Sequence, residues 1–186
     1  MLARLLTAAS VFASSTPAIA QSDLELGFDG ALRGCENWVL DPATWADGLE
    51  PFASKLGLGD RAGWVSSVNE AALPPSEMRV ANHYLRINST PTAGFILVVS
   101  DRAPFCHITG GGGTDLQPVV KSELASETFK GRWQEVKTQS RGDMVSTTFR
   151  SRIDPRLQMV VSHAIKVGSR LDRVQVIASA QYDLGG

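Results

Sequence analysis

The sequence predicts an α+β domain, with a predominantly antiparallel twisted sheet of about six to seven strands and two main helices packed on one of its faces. Three observations lead there. Apolar residues recur at intervals of three and four in two stretches, Trp45–Leu49–Phe52–Leu56 and Leu116–Val119–Val120–Leu124. From His83 onward the apolar period is mostly two, interrupted by the second stretch. The segments of period two are joined by turn-rich stretches of hairpin length. The alternative architecture is a half-open barrel in which the same strands curl around the second helix.

The chain opens with Arg4, the apolar stretch Leu5 to Ala13, and Ala18-Ile19-Ala20. A cation, a short apolar run and small residues at the last and third-last positions are the pattern of a cleavable signal peptide, expected over residues 1–20. The run is far shorter than the ~20 residues a membrane-crossing helix needs, so no transmembrane anchor is expected. Gln21 and Ser22 stand where a lipid anchor would require cysteine. These features place the working protein, residues 21–186 as a single globular domain, in the periplasm or outside the cell.

Without Arg4, 17 cations face 19 acidic residues, a net charge of -2, which speaks against a nucleic-acid partner. The distribution is more informative. Residues 21–115 hold 6 cations and 12 anions, or -6, and residues 116–186 hold 11 and 7, or +4. Either the two parts pack together, or the second presents a basic surface to an anionic partner.

Two cysteines remain after processing, Cys35 and Cys106, and an even pair in an exported chain reads as a disulfide. The bond would pin the N-terminal segment to the central sheet. A nucleophilic Cys106 beside His107 is disfavoured, because neighbours along a strand point to opposite faces.

Asp41-Pro42 is an N-cap followed by a residue suited to the first helical position, so a helix is expected from there. Its apolar stripe is Trp45, Leu49, Phe52 and Leu56, with Gly48 a weak point and Gly57 a left-handed stop. Residues 58–79 carry no period beyond a short apolar turn at Trp64, Val65 and Val68. Three strands follow, around His83–Asn88, Phe95–Val99 and Phe105–Thr109. Asn88-Ser89-Thr90, although a glycosylation sequon, serves the first turn. Gly110 to Gly113 read as a flexible connector into the second helix, capped by Thr114 or Asp115. The glycine run has neither the Gly-Lys-Ser/Thr end of a phosphate loop nor the dinucleotide-binding spacing, and no cofactor is expected.

After Gly131 a meander of four strands is expected, Arg132–Thr138, Met144–Ile153, Gln158–Val167 and Arg173–Tyr182. Arg141-Gly142-Asp143 suits a hairpin turn better than an integrin motif. Alternation puts Val145, Thr147, Phe149 and Ile153 on the helix side, with Met159, Val161, Ile165, Val167, Val174, Val176, Ala178 and Ala180. The other side then carries Arg150, Arg152, Lys166 and Arg173, together with Gln175, Ser146, Thr148 and Ser162. That basic face is the candidate binding patch, suited to an acidic protein, an anionic glycan, a lipid headgroup or another anionic envelope component.

His83, His107 and His163 lie on separate segments without metal-ligand spacing, and His163 falls on an apolar face. Glu123 and Glu127 stand one helical turn apart on a polar helix face. No nucleophile motif accompanies any of them. The function expected from the sequence is therefore an exported, non-catalytic binding or envelope-accessory module. The alternative is a small periplasmic hydrolase using His107 or His163 with a carboxylate.

Overall fold

The computed structural model describes residues 18–182 apart from 167–173. Most of the signal-peptide stretch, Val167 and Arg173 thus lie outside the described residues. Four helices accompany one eight-stranded antiparallel sheet: α1 Ala18–Leu40, α2 Leu49–Lys55, α3 Gln117–Ala125 and α4 Glu127–Arg132. The strands are β1 Ala62–Val65, β2 Asn82–Asn88, β3 Ala93–Ser100, β4 Phe105–Gly112, β5 Trp133–Arg141, β6 Met144–Ser151, β7 Leu157–Ala164 and β8 Val174–Tyr182. Their spatial order, β1-β2-β3-β4-β8-β7-β6-β5, reads alike from either end. Each half is a helical segment followed by a four-strand meander, and the halves join along β4 and β8.

The α+β class and the antiparallel sheet are as expected, while the detail is richer: eight strands and four helices. The principal helix is α1, which the periodicity of residues 42–57 had hidden. Leu24, Phe28, Ala31, Leu32, Cys35, Trp38 and Val39 are all buried and repeat at helical spacing. Gly27, Gly30 and Gly34 interrupt that pattern in the sequence, yet they are what lets the helix come close. A Cβ on Gly30 would stand 2.8 Å from Leu58, and one on Gly34 2.8 Å from Leu97 on β3. The stretch expected as a helix from Pro42 is instead a 3-10 turn, Pro42–Thr44, and the separate helix α2. Gly48, at φ 103, breaks them apart. Asp41 still caps, its Oδ1 accepting from the Ala43 amide at 3.1 Å, and Gly57 supplies the left-handed stop at φ 71.

Register sorts the sheet into rows. One inward row runs Trp64, Leu85, Leu97, Ile108, Ala178, Val161, Thr147 and Thr138 across all eight strands. Against this face pack α1, over β3, β4 and β8, and α3, over β7 and β8. Cys35 on α1 and Cys106 on β4 lie at disulfide distance with Cα atoms 5.3 Å apart, fastening the helix to the sheet centre. Thr147, Phe149, Met159, Val161, Val176, Ala178 and Ala180 are buried on the inward side, as alternation predicts. Ile153 and Ile165 are exposed at 72% and 43%, because both lie beyond the ends of their strands.

Two outward rows matter for function. One is Val65, Tyr84, Val98, His107, Ser179, Val160, Thr148 and Lys137, and its neighbour is Gly63, Arg86, Ile96, Thr109, Ile177, Ser162, Ser146 and Gln139. Val98, His107 and Thr109 are nevertheless buried. They are covered by residues 66–81, the segment without a period, which forms a strap from β1 across the outer face to the start of β2. Its 3-10 turns, Glu70–Ala72 and Ser76–Met78, are held by Asn69 Oδ1 accepting from Ala71 N and by Arg79 Nε donating to Pro74 O. The Glu70–Ala72 turn lies against β4.

The glycine run is a correction too. Gly110 and Gly112 belong to strand β4, not to a flexible connector. A Cβ on Gly110 would lie 2.6 Å from both Phe95 and Val176 on the flanking strands, and Gly112 sits at φ 127. The register slips here, between Gly110 and Gly111. The slip turns Gln175 inward from the polar face on which alternation places it. It is buried, its Oε1 accepting from Leu116 N at 2.9 Å and its Nε2 donating to Thr114 O at 2.8 Å. Gln175 and Asp115, whose Oδ1 accepts from Gln117 N at 2.8 Å, together start α3.

Candidate functional site

The strap divides the outer face. It covers the β3–β4 region and leaves β5, β6 and β7 open. On the open half Arg150 is exposed, paired in register with Gln134 and Gln158. Arg152 is exposed just past the end of β6, where its Nε donates to Lys130 O at 2.8 Å. Lys166 lies at the other end of the same strands, next to Ile165, whose amide donates to Asp143 O. With eight residues of β6 between these ends, Arg150 and Lys166 are separated by roughly 25 Å at ~3.3 Å per residue. Arg150 and Arg152 thus form one end of the candidate patch, and Lys166 stands apart from it. Two cations missed in the sequence join the Arg150 end. Lys130 supplies the carbonyl that holds Arg152, and Arg156 packs 5.7 Å from the Tyr182 ring centroid while pairing with Asp154 at 2.8 Å. Neither stands in a period-two position, so alternation could not find them.

The opposite charges of the two halves meet at one place. Arg132 of α4 pairs with Glu36 of α1 at 2.7 Å and reaches Asp29 at 4.0 Å. Burial pushes the Glu36 carboxyl up despite the arginine, which acts in the opposite direction. Glu123 is half-buried against the same group, and burial, reinforced by Asp29, raises it as well. Its Oε1 has no hydrogen-bond partner among the described residues. Glu127 is fully on the surface, so the two glutamates make no catalytic pair. The remaining ion pairs among the described residues stay within their own half.

The three histidines do not converge. His163 faces the helices, with Nδ1 at 3.0 Å from Gln117 Oε1. His107 faces the strap, with Nδ1 at 2.7 Å from Ser179 Oγ, and burial lowers its pKa to about 4, so the ring is neutral at neutral pH. Among the described residues His83 alone meets a carboxylate, Asp101, at 2.8 Å, beside Trp38 and Trp64. The His107–Ser179 pair joins a hydroxyl to a neutral base, but neither His107 nor His163 has a carboxylate partner among the described residues. Among the same residues no cluster of three or more His, Cys, Asp or Glu side chains is placed to hold a metal.

Two hollows flank the strap. One, of about 390 Å³, opens between its Glu70–Ala72 turn and the outer face, with Arg86, Ile96 and Thr109 among its walls. The other, of about 180 Å³, lies between Met78, Val80, Phe105 and Tyr182.

Compared with known proteins, the chain matches no family model, no curated protein and no solved structure. Among the described residues, no helix is long and apolar enough to cross a membrane.

Proposed function

We propose that this chain is an exported, non-catalytic binding or envelope-accessory module that meets an anionic partner through the basic end of its open sheet face, around Arg150 and Arg152. The observation that carries this reading is the strap, which covers the β3–β4 region and leaves Arg150 exposed on the half it does not reach. Arg150 has no ion-pair partner among the described residues, and its neighbours in register are neutral glutamines, so its charge is directed at solvent. Residues 116–186 carry a net charge of +4, and among the described residues Arg132 alone pairs across to the acidic half. The signal-like N-terminus and the disulfide fit a periplasmic or secreted location.

The test is retention on a heparin resin, a polyanionic probe, as salt is raised. The Arg150→Ser/Arg152→Ser variant should elute at clearly lower salt than the parent, with unfolding free energy within about 0.5 kcal/mol per exposed site. Screening over roughly 8 Å at physiological ionic strength makes such binding salt-sensitive. Identical elution of parent and variant removes the patch. The hydrolase reading rests on the His107–Ser179 pair, and loss of turnover on an envelope substrate in His107→Ala with the fold retained would establish it instead.

A further inference from the structure

We propose that the 390 Å³ cleft under the strap is a second binding site, and that it takes a small amphipathic carboxylate, held through its anionic group by Arg86 and Thr109. The volume lies within the roughly 300–1,000 Å³ typical of small-molecule sites. Three features of the walls select the ligand.

The first is Thr109. It is 3% exposed, it lines the cleft, and its Oγ1 has no hydrogen-bond partner among the described residues. A buried hydroxyl left unpaired is costly, and native proteins rarely keep one without a reason. The second is Arg86, an exposed cation on the cleft wall whose guanidinium has no ion pair or hydrogen bond among the described residues. Arg86, Ile96 and Thr109 are direct neighbours in register on β2, β3 and β4. With strands roughly 5 Å apart, a carboxylate lying over Ile96 is within reach of the guanidinium on one side, while the Thr109 hydroxyl on the other is closed to solvent in the free protein, so the ligand meets it as the strap yields.

The third is the rest of the wall. Ala72, Phe95, Ile96 and Val174 are apolar, and the adjoining stretch of β4 is glycine, whose backbone offers no side chain to block a tail. Among the described residues no carboxylate side chain lines the cleft, so its walls favour an anion over a cation. One guanidinium matches one carboxylate, whereas a dianionic phosphate calls for a second cation or a cradle of amides. The cleft lies on the covered half of the face, so it is independent of the Arg150 patch.

The experiment is isothermal titration of the full protein with octanoate, octan-1-ol and inorganic phosphate, with amide chemical shifts to locate the contact. Octanoate should bind saturably, octanol at least tenfold more weakly, and phosphate not at all, with shifts at Ala71, Ala72 and Gly110–Gly112. Arg86→Gln should weaken octanoate at least tenfold. Thr109→Ser should keep the affinity and Thr109→Val should lose it severalfold, while Thr109→Val raises the melting temperature of the free protein by removing an unpaired buried hydroxyl. Should the valine variant fail to fold, the Arg86→Gln and Thr109→Ser results decide. Absence of saturable octanoate binding at millimolar concentration, equal binding of octanol, or affinity indifferent to Arg86→Gln overturns the assignment.

Discussion

At the scale of the single residue, burial decides chemistry. His107 occupies a strand position that would be solvent-facing in a bare sheet, and the strap over it lowers its pKa from 6.5 to about 4. Between those values the unfolded chain binds a proton that the folded protein refuses, so stability contributed by this group is complete above about pH 6.5 and falls as pH drops toward 4. At 1.36 kcal/mol per unit the full effect is roughly 3 kcal/mol. Glu36 and Glu123, raised by burial, act in the opposite sense and add stability as pH falls through their folded values. Urea unfolding of the parent and His107→Gln between pH 7 and 4.5 separates the contributions. The variant should show the flatter, or even inverted, profile. Parallel profiles would mean that His107 takes up its proton at the same pH in the folded and the unfolded chain, and that burial does not lower its pKa.

At the scale of the element, glycine has two meanings in this chain. In α1 it marks close approach: an alanine methyl at Gly34 would meet Leu97 at 2.8 Å and Leu56 at 3.2 Å. In α4 it is simply a weak helix former, with nothing within 4 Å of a Cβ built on Gly131. Removing glycine from a helix interior gains up to about 1 kcal/mol, while overpacking a core costs about 1–3 kcal/mol. Gly34→Ala should therefore destabilise by about 1 kcal/mol net, and Gly131→Ala should stabilise by up to about 1 kcal/mol. Thermal midpoints moving in opposite directions would verify both; a rise in each would show that α1 has room to spare.

At the scale of the whole molecule, two meanders share one sheet and one strong tether. Cys35 and Cys106 enclose a sequence separation of 71 residues and are both fully buried. The chain-entropy estimate for such a loop is about 4 kcal/mol, reduced by whatever structure the unfolded chain retains. Cys35→Ala/Cys106→Ala should lower the urea-extrapolated unfolding free energy by about 2–4 kcal/mol, and reductant should lower that of the parent similarly without affecting the variant. A midpoint unmoved by reductant would assign the fold's cohesion to the α1 packing alone.

By itself the sequence determined the α+β class, the disulfide partners, seven of the eight strands to within a few residues or better, and the inward faces of β6, β7 and of β8 from Val176 onward; the register slip put Gln175 inward and Val174 on the wall of the outer cleft, against the alternation. These follow from local rules: period two, turn chemistry and an even cysteine pair. The tertiary structure decided the rest. Whether Gly27, Gly30 and Gly34 break a helix or seat it depends on Ser89, Leu58 and Leu97 respectively, which are far away in sequence. The glycine run reads as a connector until Phe95 and Val176 are seen on either side of Gly110. Alternation placed Arg150 on the outer face, but the separation of Lys166 from it follows from the antiparallel course of β6 and β7. The cleft is invisible in one dimension, because Arg86, Ile96 and Thr109 become neighbours only through strand register. Its roof is the strap, whose residues have no period because they pack as irregular chain over a finished sheet.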